Sequence, residues 1–86
     1  MNSIFTERGW SDYLSWQKED KKTLKKINAL LLDIQRNGAD SRIGKSEILK
    51  NRKGYSKRID EKNRLVYDFN SDGDVVVISC KGHYKE

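Results

Sequence analysis

Hydrophobic side chains recur with helical spacing through residues 24–34, and this stripe is the strongest element that the sequence predicts. Its members are Leu24, Ile27, Leu30, Leu31 and Ile34. Asp20 is placed to cap the helix at its start, and Asn37 with Gly38 supplies a stop signal. The polar positions on the opposite side are expected to face solvent; they are Lys22, Lys25, Lys26, Asp33 and Arg36.

A shorter helix is predicted immediately upstream. Thr6 can cap it, although Gly9 weakens the segment. The helical spacing is carried by Trp10, Tyr13, Leu14 and Gln17. The apolar pair at residues 4–5 is predicted as a first strand. Two helices joined tightly at Asp20 predict an antiparallel helical hairpin.

Three strands are predicted in the second half of the chain. They span residues 55–59, 64–69 and 75–80, and the loops between them, 60–63 and 70–73, read as hairpin turns. Residues 38–54 are predicted as a loop with one short element.

The order strand, helix, helix and three strands predicts an α+β fold, in which a helical hairpin packs on a mostly antiparallel, twisted sheet. With 86 residues the chain is expected to form a single domain, 1–86. Its thin core could gain stability from a partner.

Charge is concentrated in one stretch of the chain. The net charge is +5, and residues 42–64 alone hold nine basic and three acidic residues, a net of +6. This stretch suits a polyanion such as nucleic acid, although a solvated loop and strand surface would look the same. No apolar run approaches the roughly 20 residues that span a bilayer, so no membrane partner is expected.

Three single residues are candidates for chemistry. Glu47 lies among basic residues, which would keep it ionised as a proton acceptor, although a surface ion pair is the commoner explanation for a single glutamate. His83 is the only histidine and directly follows the last strand.

Cys80 is expected to be buried in the core; as the only cysteine it forms no intramolecular disulfide, which fits a reducing, cytoplasmic location. One histidine and one cysteine are too few to argue for a metal site, and no cofactor is expected.

The sequence resembles the YoeB/Txe toxins of the RelE superfamily along almost its whole length. The motifs that carry the resemblance are Trp-Ser-Asp-Tyr-Leu-Ser-Trp at 10–16, Lys-Lys-Ile-Asn at 25–28, Gly-Lys-Ser-Glu-Ile-Leu-Lys at 44–50, Gly-Tyr-Ser-Lys-Arg-Ile at 54–59, Asn-Arg-Leu-Val-Tyr at 63–67 and Cys-Lys-Gly-His-Tyr at 80–84. Each motif is weak alone, but their order and spacing together are specific. Two positions depart from the pattern: Ser46 and Ile48 stand where relatives often carry proline, and this chain has no proline.

The resemblance implies a RelE-like fold and a ribosome-dependent endoribonuclease, the toxin of a type II toxin–antitoxin system. The implied catalytic residues are Glu47, Arg64, His83 and Tyr84. The implied phosphate-binding residues are Lys50, Arg58 and Lys57. Expected partners are messenger RNA, the ribosome, a YefM/Axe-type antitoxin with an acidic segment, and a second copy in a homodimer, with operator DNA bound only through the antitoxin complex.

Metal-independent attack by the RNA 2′-hydroxyl is the expected chemistry, because RNA carries its own nucleophile. Glu47 would act as the base, Arg64 would stabilise the phosphorane and His83 would be the acid, while Tyr84 would stack on or orient a nucleotide. Two alternatives stay open: a non-catalytic inhibitor of the same fold, such as a gyrase poison, and a plain RNA-binding module. The set of four catalytic candidates distinguishes the enzyme from both.

Overall fold

Two helices cover one face of a five-stranded sheet in the computed structural model, which describes residues 1–41 and 46–82. The elements are β1 (Ser3–Phe5), α1 (Glu7–Glu19), α2 (Lys21–Asn37), a short 3-10 turn (Gly38–Asp40), β2 (Ser46–Ile48), β3 (Tyr55–Arg58), β4 (Arg64–Phe69) and β5 (Val75–Ser79). The sheet order is β1-β5-β4-β3-β2. β1 runs parallel to β5 and the other neighbours are antiparallel. The predicted α+β architecture is confirmed.

Capping residues set the helix boundaries as predicted. The hydroxyl of Thr6 accepts a hydrogen bond from the Gly9 amide, and the carboxylate of Asp20 accepts from the amides at the start of α2. Gly38 follows α2 with a φ of +56°, a conformation that glycine adopts without steric cost. Asp20 ends α1 and caps α2 at once, so the two helices form the tight hairpin that the sequence predicts.

The core lies between α2 and the sheet. Ile27, Leu30 and Ile34 are fully buried, as the helical stripe predicts, and they pack with Leu65 and Val77 of the sheet. We call this side of the sheet the helix face and the opposite side the far face. Because side chains alternate along a strand, the residues between the core positions of β3 and β4 lie on the far face.

Helix α1 meets the sheet with the side that carries Gly9 and Trp16, which is not the side of Trp10 and Leu14 in the predicted helical spacing. Trp10 and Leu14 are 48% and 42% exposed, whereas Gly9 and Trp16 are buried. A Cβ atom at Gly9 would lie 2.4 Å from the carbonyl oxygen of Val77. The missing side chain therefore lets the helix contact β5 directly, and Trp16, seven residues on, is turned to the same side.

Asp33 was also expected in solvent and instead points inward. Its side chain is 10% exposed and lies 3.7 Å from the ammonium of Lys57, and it accepts hydrogen bonds from Ser41 and Asn37. A charge on the helix faces inward here because a buried opposite charge and two donors meet it. Across the described ranges, no helix has the length and apolar character needed to cross a membrane.

Candidate active site

Glu47 lies at the centre of the short edge strand β2, on the far face of the sheet. Its register partner is Ser56 of β3, which in turn pairs with Val66 of β4. Glu47 is exposed, and no ion pair involves it within residues 1–41 and 46–82. Within these residues no ion pair accounts for Glu47, and its carboxylate faces solvent.

Two arginines stand directly opposite each other on the same face. Arg58 of β3 pairs with Arg64 of β4, which places their Cα atoms about 5 Å apart. Arg58 is two residues from Ser56, so it is the diagonal neighbour of Glu47 at about 7–8 Å. Like charges opposite each other destabilise a sheet. Such a pair beside a carboxylate is favourable when an anion lies between the guanidinium groups.

The hairpin turn before β4 holds the guanidinium of Arg64. Its Nη1 donates to the carbonyl oxygen of Asp60 at 2.7 Å and to that of Asn63 at 3.1 Å. The carboxylate of Asp60 closes the turn by accepting from the amides of Lys62 and Asn63 and from the Asn63 side chain. The Asn63 side-chain hydrogen bond is the main reason that the pKa of Asp60 lies below its ordinary value. Arg64 is therefore oriented before any ligand binds.

The same turn anchors the end of the described chain. The amide of Arg64 donates to the carbonyl oxygen of Gly82 at 3.1 Å, and the amide of Gly82 donates to the side chain of Asn63 at 2.8 Å. Gly82 thus lies beside Arg64. His83 and Tyr84, the next two residues in the sequence, lie outside the described residues.

Helix α1 fixes residues 80–81 from the other side. The indole of Trp16 donates to the carbonyl oxygen of Cys80 at 2.8 Å, and the amide of Cys80 donates to Asp12. The ammonium of Lys81 lies 2.7 Å from Glu19 and 5.1 Å from the ring centroid of Trp16. Cys80 is fully buried, as predicted, and burial raises its pKa to about 12, so the thiol stays protonated and inert.

Lys57 does not have the position that phosphate binding requires. It alternates with Arg58 along β3 and therefore points to the helix face, where its side chain is 0% exposed beside Asp33. Burial lowers the pKa of Lys57, and the charge of Asp33 opposes that shift. The structure places the Lys57 ammonium in the interior and not on the far face, so Lys57 is left out of the phosphate-binding residues proposed below.

Lys50 remains in a position that can reach a ligand. It is exposed in the loop after β2, three residues beyond Glu47 along the chain. Asp60 and Asn63 are not among the predicted site residues, since both fall in a predicted loop. The signal was present: Asp and Asn side chains that accept from amides two or three residues on are typical of tight turns.

Similarity to known proteins shows the family to which the chain belongs. A profile of the YoeB-like toxins of bacterial type II toxin–antitoxin systems matches residues 5–84. The chain belongs to this family. A toxin YoeB from Synechocystis is 49% identical over 87 residues, covering 99% of both proteins.

Solved structures agree with this YoeB-like assignment. The YoeB dimer of Staphylococcus aureus has a TM-score of 0.87 and 46% identity, with 98% of each chain covered. YoeB in the heterotetrameric YoeB–YefM complex from the same organism has a TM-score of 0.86 and 45% identity, again with 98% of each chain covered. The RelE-like toxin fold expected from the sequence is thereby confirmed.

Proposed function

We propose that this YoeB-like toxin is a ribosome-dependent endoribonuclease that cleaves messenger RNA with its far face. The observation that supports this best is the sheet register. It gathers one carboxylate and two opposed guanidinium groups, Glu47, Arg58 and Arg64, on one face, and ties Gly82 to Arg64. A plain anion-binding surface has no use for the carboxylate, whereas RNA cleavage needs a base beside the phosphate.

The reaction is transesterification at one phosphate. Glu47 takes the proton from the 2′-hydroxyl, whose oxygen attacks the adjacent phosphorus while the bond to the 5′-oxygen breaks. Arg64 stabilises the phosphorane, and His83 protonates the departing oxygen, since imidazole titrates near neutral pH. The products are a 2′,3′-cyclic phosphate and a 5′-hydroxyl, and the nucleophile belongs to the substrate, so the route requires no metal. Tyr84 would stack on or orient a neighbouring base.

Binding of the substrate would rest on the remaining exposed cations. Lys50 and Arg58 contact the phosphates on either side of the scissile one and release counterions as they do so. The ribosome presents the messenger in an extended form and supplies the rest of the binding surface. Ribosomes and a lone reduced cysteine both fit action in the cytoplasm.

The antitoxin is expected to cover this face. YoeB of Staphylococcus aureus forms a heterotetramer with YefM, so a YefM-type partner is the expected inhibitor of this chain. An acidic segment that folds along the basic face would place carboxylates near Lys50, Arg58 or Arg64 and would stabilise the native toxin by mass action. A homodimer is the expected state of the free toxin, because a solved relative is a dimer, and contact with operator DNA would come only through the antitoxin complex.

Induction of the toxin in cells, followed by mapping of new RNA 5′-ends against ribosome position, tests the proposal. The wild type should give ends at the ribosomal decoding site. Glu47→Gln and His83→Gln should each reduce the yield by about 10²–10⁴-fold, the usual contribution of one acid–base group.

Folding and assembly have to be checked in the same experiment. Both variants should still bind the antitoxin and co-sediment with ribosomes, so that loss of cleavage reports chemistry. Cleavage at near wild-type rate by His83→Gln would remove His83 from the mechanism. Growth arrest without new 5′-ends would contradict the nuclease and favour a non-catalytic inhibitor.

A further inference from the structure

The strand that carries Glu47 is the least supported element of the candidate site. β2 is three residues long, lies at the edge of the sheet and has all three residues exposed. Among residues 1–41 and 46–82, β3 is the one strand that pairs with it, through the register of Ser46, Glu47 and Ile48. A general base must hold its geometry closely, because misplacement by about 1 Å can cost on the order of 10²-fold in rate. Something besides the β3 ladder has to orient this strand.

A hydroxyl pair on the helix face joins β2 to the rigid core. Ser46 Oγ and the hydroxyl of Tyr67 share a hydrogen bond of 2.6 Å. Tyr67 is 2% exposed and its ring packs against Tyr55 and Phe69, so the phenol cannot move without disturbing the core. The bond spans β3 and reaches β2 from β4, the strand that also carries Arg64.

We propose that Ser46 and Tyr67 are positioning residues that fix the direction in which Glu47 faces the phosphate; this inference rests on the proposed nuclease function. Ser46 and Glu47 are consecutive in the strand, so their side chains leave opposite faces of the same peptide segment. Holding Ser46 on the helix face therefore sets the orientation of Glu47 on the far face. The bond also links the strand of the base directly to the strand of the phosphate-binding arginine.

The absence of proline gives this bond its importance. The chain contains no proline, so no ring restricts φ in the segment that carries Glu47. A side-chain hydrogen bond to the core can restrict the strand in its place. The first residue of an edge strand is also a position where proline is tolerated, and Ser46 occupies it.

The kinetics of cleavage on programmed ribosomes test the proposal with Ser46→Ala, Tyr67→Phe and the double variant. Each single change should lower kcat about three- to tenfold, the rate equivalent of one net hydrogen bond, and leave KM within about twofold. The double variant should be no slower than either single one, because both remove the same bond. Ser46→Pro should recover most of the rate lost in Ser46→Ala, because it restrains the same residue by its ring.

Tyr13→Phe is the matched control for the loss of a tyrosine hydroxyl. It removes a bond of 2.7 Å to Asn28 between the two helices, away from the far face. It should lower the melting temperature less than Tyr67→Phe does, because its hydrogen bond is exposed, and leave kcat at the wild-type value. A merely structural role for Ser46–Tyr67 would give the same stability change with no change in kcat, and that result would overturn the inference.

The same measurements distinguish a wrong positioning role from a wrong nuclease proposal. If wild type cleaves and Glu47→Gln does not, but Ser46→Ala and Tyr67→Phe cleave at full rate, only the positioning role is lost. Additive losses in the double variant would likewise show that the two hydroxyls act independently. If wild type yields no cleavage on programmed ribosomes, the nuclease proposal and the positioning role are both wrong.

Discussion

Lys57 and Arg58 are consecutive cations on one strand, and the fold uses them in opposite ways. Lys57 is fully buried on the helix face beside Asp33, whereas Arg58 is exposed on the far face opposite Arg64. Their parity along β3 decides the face to which each side chain points. A count of basic residues in the chain therefore overstates the charge that a ligand meets, and the sheet register decides which cations form a binding surface.

The largest effect is expected for Lys57→Ala, which should lower the free energy of unfolding. Removal of one partner of a buried ion pair leaves the other charge uncompensated, which costs about 3 kcal/mol in the free energy of unfolding. The melting temperature should fall by roughly 15 °C for a domain of this size. Urea unfolding of Lys57→Ala against Lys62→Ala, an exposed lysine, measures it.

Lys57→Met refines the same test. It keeps the volume and removes the charge, and Asp33 retains its hydrogen bonds from Ser41 and Asn37. The loss should therefore be smaller than in Lys57→Ala, and neither variant should alter the salt dependence of RNA binding. A stability change within 0.5 kcal/mol (about the size of a surface substitution) for Lys57→Ala would mean that the pair is not formed in solution.

The second largest effect is expected for Arg58→Ala, which should weaken RNA binding. Stability should change by less than about 0.5 kcal/mol because the side chain is exposed. RNA affinity should fall about fivefold, and the slope of log affinity against log salt should become shallower by about 0.7, because one phosphate contact is lost. Arg36→Ala removes the same charge from the exposed surface of α2 and should leave the slope unchanged. An unaltered slope for Arg58→Ala would place it away from the RNA.

The smallest expected effect concerns pH and the turn that holds Arg64. The pKa of Asp60 is lowered in the folded protein, so its contribution to stability is present above its ordinary value of 3.8 and is lost as pH falls through the lower folded pKa. Asp60→Asn should be less stable than wild type by under about 1 kcal/mol at pH 7, a modest value because the group is exposed. The difference should shrink below pH 3.8. A difference that stays constant from pH 7 to pH 3 would contradict the assigned role.

Periodic patterns were sufficient for most of the fold. The stripe from Leu24 to Ile34, the caps at Thr6 and Asp20 and the three hairpin-linked strands all follow from local rules, and the observed strands end within one residue of their predicted limits. The spacing of hydrophobic residues in α1 does not show which side meets β5, because that contact depends on the absence of a side chain at Gly9.

The site was less accessible to sequence reasoning. Glu47 is singled out by its basic neighbours and Arg64 by the family resemblance, but their sharing of one face depends on two hairpin registers, as does the burial of Lys57. The bond between Arg64 and Gly82 joins residues 18 apart through the β4–β5 hairpin, and local propensity does not encode such a contact. The edge strand β2 was missed as a strand because three exposed residues show no alternation.

The central proposal is that RNA is cleaved at the far face, and the chemical nature of the new RNA ends tests it most directly. Purified toxin should be mixed with ribosomes programmed with a short messenger, and the 3′-ends analysed from the earliest times. We expect a 2′,3′-cyclic phosphate and a 5′-hydroxyl for wild type and for Arg36→Ala, and a rate at least about 10²-fold lower for Arg64→Ala. A linear 3′-phosphate with no cyclic precursor, or a full rate for Arg64→Ala, would contradict it.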